Sequence, residues 1–203
     1  MHALVLGLTL GLGAGLAPGP LMAVVIRATL EGGFAAGARV ACGPLVTDLP
    51  IVVFAVLLAA ELPDAALGAL GIAGGLFVLY LGVEALRDLP APLEAAAGAP
   101  GPAPAGGALR RGALVNLLSP HPWVFWITVG APILGDAGPV GAIAFLVPFY
   151  LLLIGAKVLL AAGLGAGRER LVRGRGYTLA LRAAGALMLV AGVLLIVEGI
   201  RTV

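Results

Sequence analysis

Two charged side chains of this sequence lie inside long apolar runs, where an ionised group is costly. Asp48 lies in the run GPLVTDLPIVVF, and Lys157 lies in the run LLLIGAKVLLAA. An acidic or basic side chain at the centre of a membrane costs roughly 2.5–3.5 kcal/mol on insertion scales, and it usually faces a partner or a cavity. Lys157 is also the only lysine of a chain that otherwise uses arginine for positive charge. Both side chains are therefore candidates for binding or for proton transfer.

These two charges allow a structural and a functional interpretation. If their segments run in opposite directions, a rise of about 1.5 Å per residue places Asp48 and Lys157 within roughly 8 Å of each other in depth. One hypothesis is a fixed ion pair that holds two helices together. The other is that Asp48 binds an ammonium group or a proton, while Lys157 changes the proton affinity of Asp48 or displaces the bound group.

Two proline-containing segments form a second group of candidates: LAPGP, which ends at Pro20, and LSPHP, which ends at Pro122. Proline lacks a backbone N–H and clashes with the carbonyl four residues before it, so each segment should break its helix. The carbonyls that should be freed are those of Ala14 and Leu16 at the first break and of Asn116 and Leu118 at the second. Freed carbonyls are tolerated in a membrane only beside protein or a watery cavity, which points both breaks toward the interior. Paired breaks in corresponding spans are the best sequence indication of a transport site.

The residue order at the second break also predicts where a helix restarts. Ser119 followed by Pro120 is typical of a helix N-terminus, with a capping hydroxyl before a proline at the first helical position. The N–H groups of that half-helix, and those of the half-helix Leu21–Ile26, could receive a carboxylate. The candidate substrate-binding residues are Pro18, Gly19, Pro20, Thr47, Asp48, Asn116, Ser119, Pro120, His121 and Trp123.

Two glutamates near the ends of apolar segments favour a structural interpretation. Glu84 lies in VEALR and Glu198 in VEGIR, and in each sequence an arginine follows the glutamate by three residues. This spacing brings opposite charges together on a helix, so we expect the pairs Glu84–Arg87 and Glu198–Arg201 at the membrane interface.

The overall composition shows which elements must position these residues. Hydrophobic residues make up 61% of the 203 residues, charged residues make up 11%, and the mean hydropathy is +1.13. Soluble domains are roughly 45–50% apolar and about 25% charged, so the bilayer is the expected solvent. The single cysteine, Cys42, excludes a disulfide framework and a cysteine metal site. We expect no cofactor and no resident metal.

Six apolar segments predict an all-α integral membrane protein with six transmembrane helices. The segments are Ala3–Ile26, Phe34–Ala60, Ala65–Leu86, Gly112–Leu134, Val140–Ala166 and Leu179–Ile200. A stretch rich in Pro, Ala and Gly, 88–109, predicts a flexible cytoplasmic linker within one domain, 1–203. It separates two halves, 1–87 and 110–203, with three spans each. This arrangement predicts inverted repeats in which helices 1 and 4 are broken.

The distribution of charge among the loops predicts the orientation. The first, third and fifth loops hold the basic residues, whereas the second and fourth hold Glu61, Asp64 and Asp136. The positive-inside rule then places the odd loops in the cytoplasm and both termini outside, in the plasma (cell inner) membrane. Basic residues in short loops favour this role over binding of nucleic acid.

Three motifs of the sequence resemble those of the lysine exporter family, LysE/RhtB. The family's first span carries Pro-Gly-Pro, matched by APGP at Ala17–Pro20, and its second span carries a Gly-rich stretch ending in aspartate, resembled by GPLVTD at Gly43–Asp48. Its fourth span opens with Gly, then Asn, then Asn-Pro and an aromatic pair, and GALVNLLSPHPWVFW at Gly112–Trp126 is close. Ser119 stands where the family usually has asparagine. The resemblance covers nearly the whole chain and implies an amino-acid exporter.

Together, the residues and the resemblance predict a secondary transporter rather than an enzyme. It would export a small solute, an amino acid or a related zwitterion, with the proton motive force. Its partners would be that solute and the lipid bilayer, and Gly-rich helix faces permit a homodimer. An alternative is a metal-ion exporter or channel using Asp48, His121 and Glu84, although their spacing follows no known metal pattern. A further alternative is an intramembrane hydrolase in which Lys157 activates Ser119.

Overall fold

The computed structural model describes residues 2–17, 19–87, 107–166 and 175–202, and every regular element in these ranges is helical. In chain order the elements are α1 (His2–Leu16), α2 (Pro20–Ala41), α3 (Gly43–Ala60), α4 (Asp64–Arg87), α5 (Ala108–Leu118), α6 (Pro120–Phe125), a π-helical turn (Trp126–Gly130), α7 (Ala131–Gly165) and α8 (Arg175–Thr202). The predicted all-α fold is confirmed. Most of the predicted linker, 88–106, lies outside the described residues, whereas Ala108 and Leu109 belong to α5.

Apolar side chains cover the outside of these helices, as a surface in contact with lipid requires. Leu49, Val140 and Leu159 are 68%, 82% and 73% exposed. Four helical stretches are long and apolar enough to cross a membrane, and α1 is apolar but shorter. These four are Pro20–Ala60, Asp64–Arg87, Pro120–Gly165 and Leu181–Thr202. The chain is therefore a multi-pass membrane protein.

The first of these long stretches reverses its direction at Gly33. This residue has a φ of +76°, in the left-handed region that glycine adopts without a steric penalty. A Cβ placed on Gly37 would meet the side chain of Thr29, eight residues earlier. A straight helix would hold those two residues about 12 Å apart along its axis, so the chain folds back between them.

The stretch Pro120–Gly165 reverses in the same way at Gly138, which has a φ of +60°. The rings of Phe125 and Phe149 stack with their centroids 5.1 Å apart. In a straight helix these residues would be separated by about 36 Å. Both reversals lie just before predicted segments, those that begin at Phe34 and Val140. The count of six membrane-crossing helices stays a prediction.

Both predicted breaks occur at the proline-containing segments. Leu16 ends α1, Pro20 begins α2, and Gly19 between them is extended, with φ −163° and ψ 177°. Pro18 lies outside the described residues. Ser119 separates α5 from α6 and is also extended, with φ −74° and ψ 135°.

Glycines on α1 allow this helix to pack directly against the backbone of α7. Gly7, Gly11 and Gly15 are spaced by one helical turn each and face α7. A Cβ on Gly11 would lie 2.5 Å from the carbonyl oxygen of Phe149 and 2.7 Å from its Cα. In a membrane, helix association depends on such close packing, because lipid is as apolar as the side chains. The contact fixes α7 alongside the broken end of α1.

Helices α4 and α8 form the most extensive helix pair among the described residues, and they meet through glycines at intervals of seven. The pairs are Gly82 with Gly185, Gly75 with Gly192, and Gly68 with Gly199. A repeat of seven residues corresponds to 3.5 residues per turn and winds two helices around each other with a left-handed twist. The pairing is antiparallel, as expected for the third helices of two inverted repeats. The repeat itself stays a prediction.

We expect the substitution Gly11→Ala to lower the free energy of unfolding by about 1–3 kcal/mol, the usual cost of adding a methyl group to a well-packed contact. The added Cβ would meet backbone atoms of Phe149, which cannot rotate away as a side chain could. Thermal unfolding in detergent measures the change. Gly155→Ala on α7 is the matched control, because nothing lies within 4 Å of its Cβ position. Equal melting temperatures for both variants would contradict the proposed backbone contact.

Candidate functional site

A contact between two glycines brings together the polar residues of α3 and α5. The space that a Cβ of Gly43 would need is occupied by the backbone of Gly112. Four residues further along their helices, on the same faces, lie Thr47 and Asn116. The amide Nδ2 of Asn116 donates a hydrogen bond to Thr47 Oγ1, at 2.9 Å. The Gly-then-Asn motif of the sequence thus has a structural reason, since the glycine allows the approach that the asparagine uses.

The same approach places Asp48 at the centre of a hydrogen-bond network. Its Oδ1 accepts a bond from Asn116 Nδ2 at 2.6 Å, and its Oδ2 accepts one from the Tyr150 hydroxyl at 3.1 Å. The indole N–H of Trp126 lies within hydrogen-bonding reach of the same carboxylate. Asp48 is only 3% exposed. Two hydrogen-bond donors, one on α5 and one on α7, therefore hold this carboxylate in place.

Lys157 bonds to the broken end of α1 rather than to Asp48. Its Nζ donates to the carbonyl oxygens of Ala14 and Gly15, at 2.7 and 2.9 Å. The last carbonyls of a helix lack partners within the helix and carry the negative end of its dipole, which suits an amine. The fixed Asp48–Lys157 ion pair considered from the sequence is not formed. The freed carbonyl that was predicted at Ala14 is present, and Lys157 satisfies it.

The second break is also closed by a side chain. The indole Nε1 of Trp123 donates to the carbonyl of Leu117, at 2.9 Å, close to the carbonyls that were predicted to be freed. Ser119 occupies the position before α6 as expected, but its hydroxyl makes no capping bond to the helix. It lies instead 3.3 Å from Nδ1 of His121. The predicted capping role of the Ser119 hydroxyl is therefore wrong, because the hydroxyl pairs with the His121 ring instead of a backbone N–H of α6.

The Ser119–Lys157 pairing that an intramembrane hydrolase would need is not formed. Ser119 is paired with His121, and the amine of Lys157 donates to two carbonyls of α1. A serine is activated as a nucleophile when a base lies within hydrogen-bond reach of it. In the described part of the chain, the Lys157 amine makes no hydrogen bond to the Ser119 hydroxyl.

A cavity of about 150 Å³ lies between the two broken helices. At about 30 Å³ per water molecule it would hold roughly five waters, and it is smaller than the 300–1,000 Å³ pockets typical of drug-sized ligands. Its polar lining consists of Asp48, Glu84, Asn116, Ser119, His121 and Lys157. Its larger apolar lining residues are Leu21, Met22, Phe77, Leu81, Phe125, Trp126, Phe149 and Leu153. The cavity therefore suits one small solute with charged or polar ends.

Most of the residues predicted from the sequence line this cavity. Those that do are Gly19, Pro20, Asp48, Asn116, Ser119 and His121. Three others lie outside the lining: Thr47 supports Asn116, Trp123 bonds Leu117, and Pro120 begins α6. Pro18 lies outside the described residues, so its position relative to the cavity stays a prediction.

Two residues of this site, Tyr150 and Trp126, are not among those predicted from the sequence. Tyr150 bonds Asp48 across the fold and Trp126 packs on the Tyr150 ring at 6.0 Å, and no local pattern marks an aromatic residue for such a role. Glu84 was considered only as a partner of Arg87 or as a metal ligand, although Phe77, Leu81 and Glu84 follow the i, i+4, i+7 spacing of one helix face. That face of α4 lines the cavity.

The two glutamates that were expected to be alike differ in the structure. Glu198 pairs with Arg201 at 3.8 Å, as predicted. Glu84 makes no corresponding pair with Arg87 within the described part of the chain, so the expected pair is absent there. The carboxylate of Glu84 is half-buried and contributes to the cavity wall instead.

The described ranges contain no group of three or more His, Cys, Asp or Glu side chains that could hold a metal ion. The three residues considered for a metal exporter, Asp48, Glu84 and His121, all line the cavity without forming such a group.

Comparison with known proteins agrees with this architecture. The family model described as LysE type translocator matches residues 13–199, which include both helix breaks and every polar residue of the cavity. No curated protein and no solved structure matches the chain. The chain belongs to the LysE type translocator family, and it is a membrane exporter of amino acids or related solutes.

Proposed function

We propose that this protein exports a zwitterionic solute, an amino acid or a close relative, by proton-coupled alternating access around the cavity. The observation that carries the proposal is the position of the cavity between the two breaks, where α1, α2, α5 and α6 all end or begin. In transporters, interrupted helices supply free backbone groups and helix dipole ends to the solute.

The N-terminus of α2 is the best place for the solute's carboxylate. Pro20 has no N–H, so the N–H groups of Leu21 and Met22 are the first that the helix offers, and both residues line the cavity. The positive end of the helix dipole favours an anion there. The start of α6 offers fewer free N–H groups to a carboxylate, because Pro120 and Pro122 also lack an N–H. The carboxylate therefore binds mainly on the α2 side.

Asp48 is the candidate for the coupling proton. Each of its oxygens faces a group that can adapt to a protonated carboxyl, since the Tyr150 hydroxyl can accept as well as donate and the Asn116 amide carries both a donor and an acceptor. The network can therefore hold Asp48 with or without a proton. Movement of that proton would rearrange the contacts among α3, α5 and α7, and it would thereby bias the two states of alternating access.

The orientation proposed from the loop charges gives this cavity a direction. Glu84 lies one helical turn from the end of α4 at Arg87, on the side where Arg110 and Arg111 also lie at the start of α5. If the odd loops lie on the cytoplasmic side of the plasma (cell inner) membrane, the end of the cavity at Glu84 faces the cytoplasm. The solute would then enter the cavity from the cytoplasm and leave it on the outside.

We expect Asp48→Asn to reduce amino-acid efflux by about ten- to a hundredfold, which matches the roughly 1.5–3 kcal/mol of a hydrogen bond to a charged group. Asparagine keeps the size of the side chain but cannot carry a proton. Efflux of preloaded amino acids, such as threonine, leucine, lysine and arginine, is measured with and without an uncoupler. Asp136→Asn, a change at an exposed acidic residue, is the control and should export normally. Uncoupler-sensitive efflux at the normal rate from the Asp48→Asn protein would contradict its role.

We expect Lys157→Met to reduce efflux by about tenfold or more, because two carbonyls of α1 lose a donor and each charge-assisted bond contributes roughly 1.5–3 kcal/mol. Methionine retains most of the side-chain volume. Arg201→Met, at an exposed cation of α8, serves as the control. Normal efflux by the Lys157→Met protein would show that the bond to α1 is not needed for transport.

A further inference from the structure

The cavity contains two acidic side chains, and the protein provides donors for only one of them. Asp48 accepts bonds from Asn116 and Tyr150, with Trp126 within reach. Glu84 has no hydrogen bond or ion pair within the ranges that the structure describes. A carboxylate that is half-buried in a membrane protein and lacks a partner is expected to serve a ligand or an ion.

The basic side chains that line the cavity, Lys157 and His121, do not supply that partner. The amine of Lys157 donates to Ala14 and Gly15 at the negative end of the α1 dipole. Nδ1 of His121 faces Ser119, and the imidazole ring lies 6.1 Å from the ring of Phe77. The charge of Glu84 is therefore left for a group that enters the cavity.

The position of Glu84 fits a solute held by both of its ends. Glu84, Leu81 and Phe77 follow one face of α4, so the carboxylate stands at the end of an apolar strip that lines the cavity. The backbone N–H groups at the start of α2, proposed above to bind a carboxylate, line the same small space. A zwitterion placed there would have an anion site and a cation site available together.

We propose that Glu84 binds the positively charged group of the solute and makes the cavity selective for cations, an assignment that rests on the proposed function for its solute. Sequence reasoning gave this role to Asp48, but the donors around Asp48 leave it little capacity for a ligand. The two carboxylates would then have different roles: Asp48 would carry the coupling proton, and Glu84 would bind the ammonium group of the solute.

Charge selectivity of the cavity can be measured without knowing the solute. Ser119→Cys, in a Cys42→Ala background, places one thiol on the cavity wall. Its rate of modification is measured in purified protein with a methanethiosulfonate that carries an ammonium group and with one that carries a sulfonate. Because the thiolate itself favours the cationic reagent, the comparison is the change in the ratio of the two rates between variants.

We expect Glu84→Gln to reduce the cation-to-anion rate ratio by about tenfold or more, since fixed charge on the wall of a cleft raises the local concentration of the opposite ion by about 10- to 1,000-fold, and the opposing amine of Lys157 is bound to α1. Glu84→Asp should keep the ratio, and Glu198→Gln, the matching residue of VEGIR outside the cavity, should leave it unchanged. An unchanged ratio in the Glu84→Gln protein would overturn the proposal.

Efflux by Glu84→Gln and by the control Glu198→Gln, both without the cysteine changes, separates the remaining outcomes. Loss of both the ratio and amino-acid efflux in Glu84→Gln, with both retained in Glu198→Gln, supports the assignment. Loss of the ratio with normal efflux would overturn the solute-binding role. If the unmodified protein exports no amino acid but Glu84 still sets the ratio, the proposed solute is wrong while Glu84 remains the cation-selecting residue.

Discussion

Inside a membrane, a backbone carbonyl that leaves its helix finds no water, so another group of the protein or a hydrated cavity must bond to it. The helices of this chain are interrupted at two places, and at each of them a side chain from another part of the fold donates a hydrogen bond to a freed carbonyl. Lys157 reaches the end of α1 from α7, and Trp123 turns back from α6 to Leu117. Both solutions leave the opposite side of the break, the start of the next helix, open to the cavity. At each break the protein satisfies the carbonyl end with a side chain and leaves the N–H end to the cavity.

Close packing is what makes these long-range bonds geometrically possible. Lys157 can reach α1 because Gly7, Gly11 and Gly15 let α7 approach its backbone, and Asn116 can reach Asp48 because Gly43 and Gly112 let α3 meet α5. In the second case the glycines and the polar residues are close in sequence, because Gly112 lies four residues before Asn116 and Gly43 five residues before Asp48, so that one contact fixes the other. The pairing of α4 with α8 uses glycine differently, as a continuous seam that joins the two predicted halves. Small residues thus determine where the polar groups of the site stand.

Local chemistry made much of this structure predictable from the sequence. Proline rules located both breaks and the carbonyl of Ala14, hydropathy gave the apolar helices, and the cost of charge in lipid identified Asp48 and Lys157. The partners of those charges could not be predicted, because they depend on which helix faces which: the sequence pairs Asp48 with Lys157 by depth, whereas the fold gives them separate partners. Glu84 was assigned to Arg87 from spacing alone, and only the packing of α4 shows that its side chain faces the cavity. The sequence likewise predicts a cap at Ser119, because residue order alone does not show that His121 comes within hydrogen-bond distance of the hydroxyl.

The bond between Lys157 and α1 gives this protein a chemical reporter that needs no engineered label. Lys157 is the chain's only lysine, and its side chain is 3% exposed while its amine is bound to Ala14 and Gly15. An amine held in this way reacts slowly with acylating reagents, and separation of α1 from α7 at this point would raise its rate of reaction. The rate at which such a reagent modifies Lys157 therefore counts the openings of the first broken helix, in the native sequence and with any solute present.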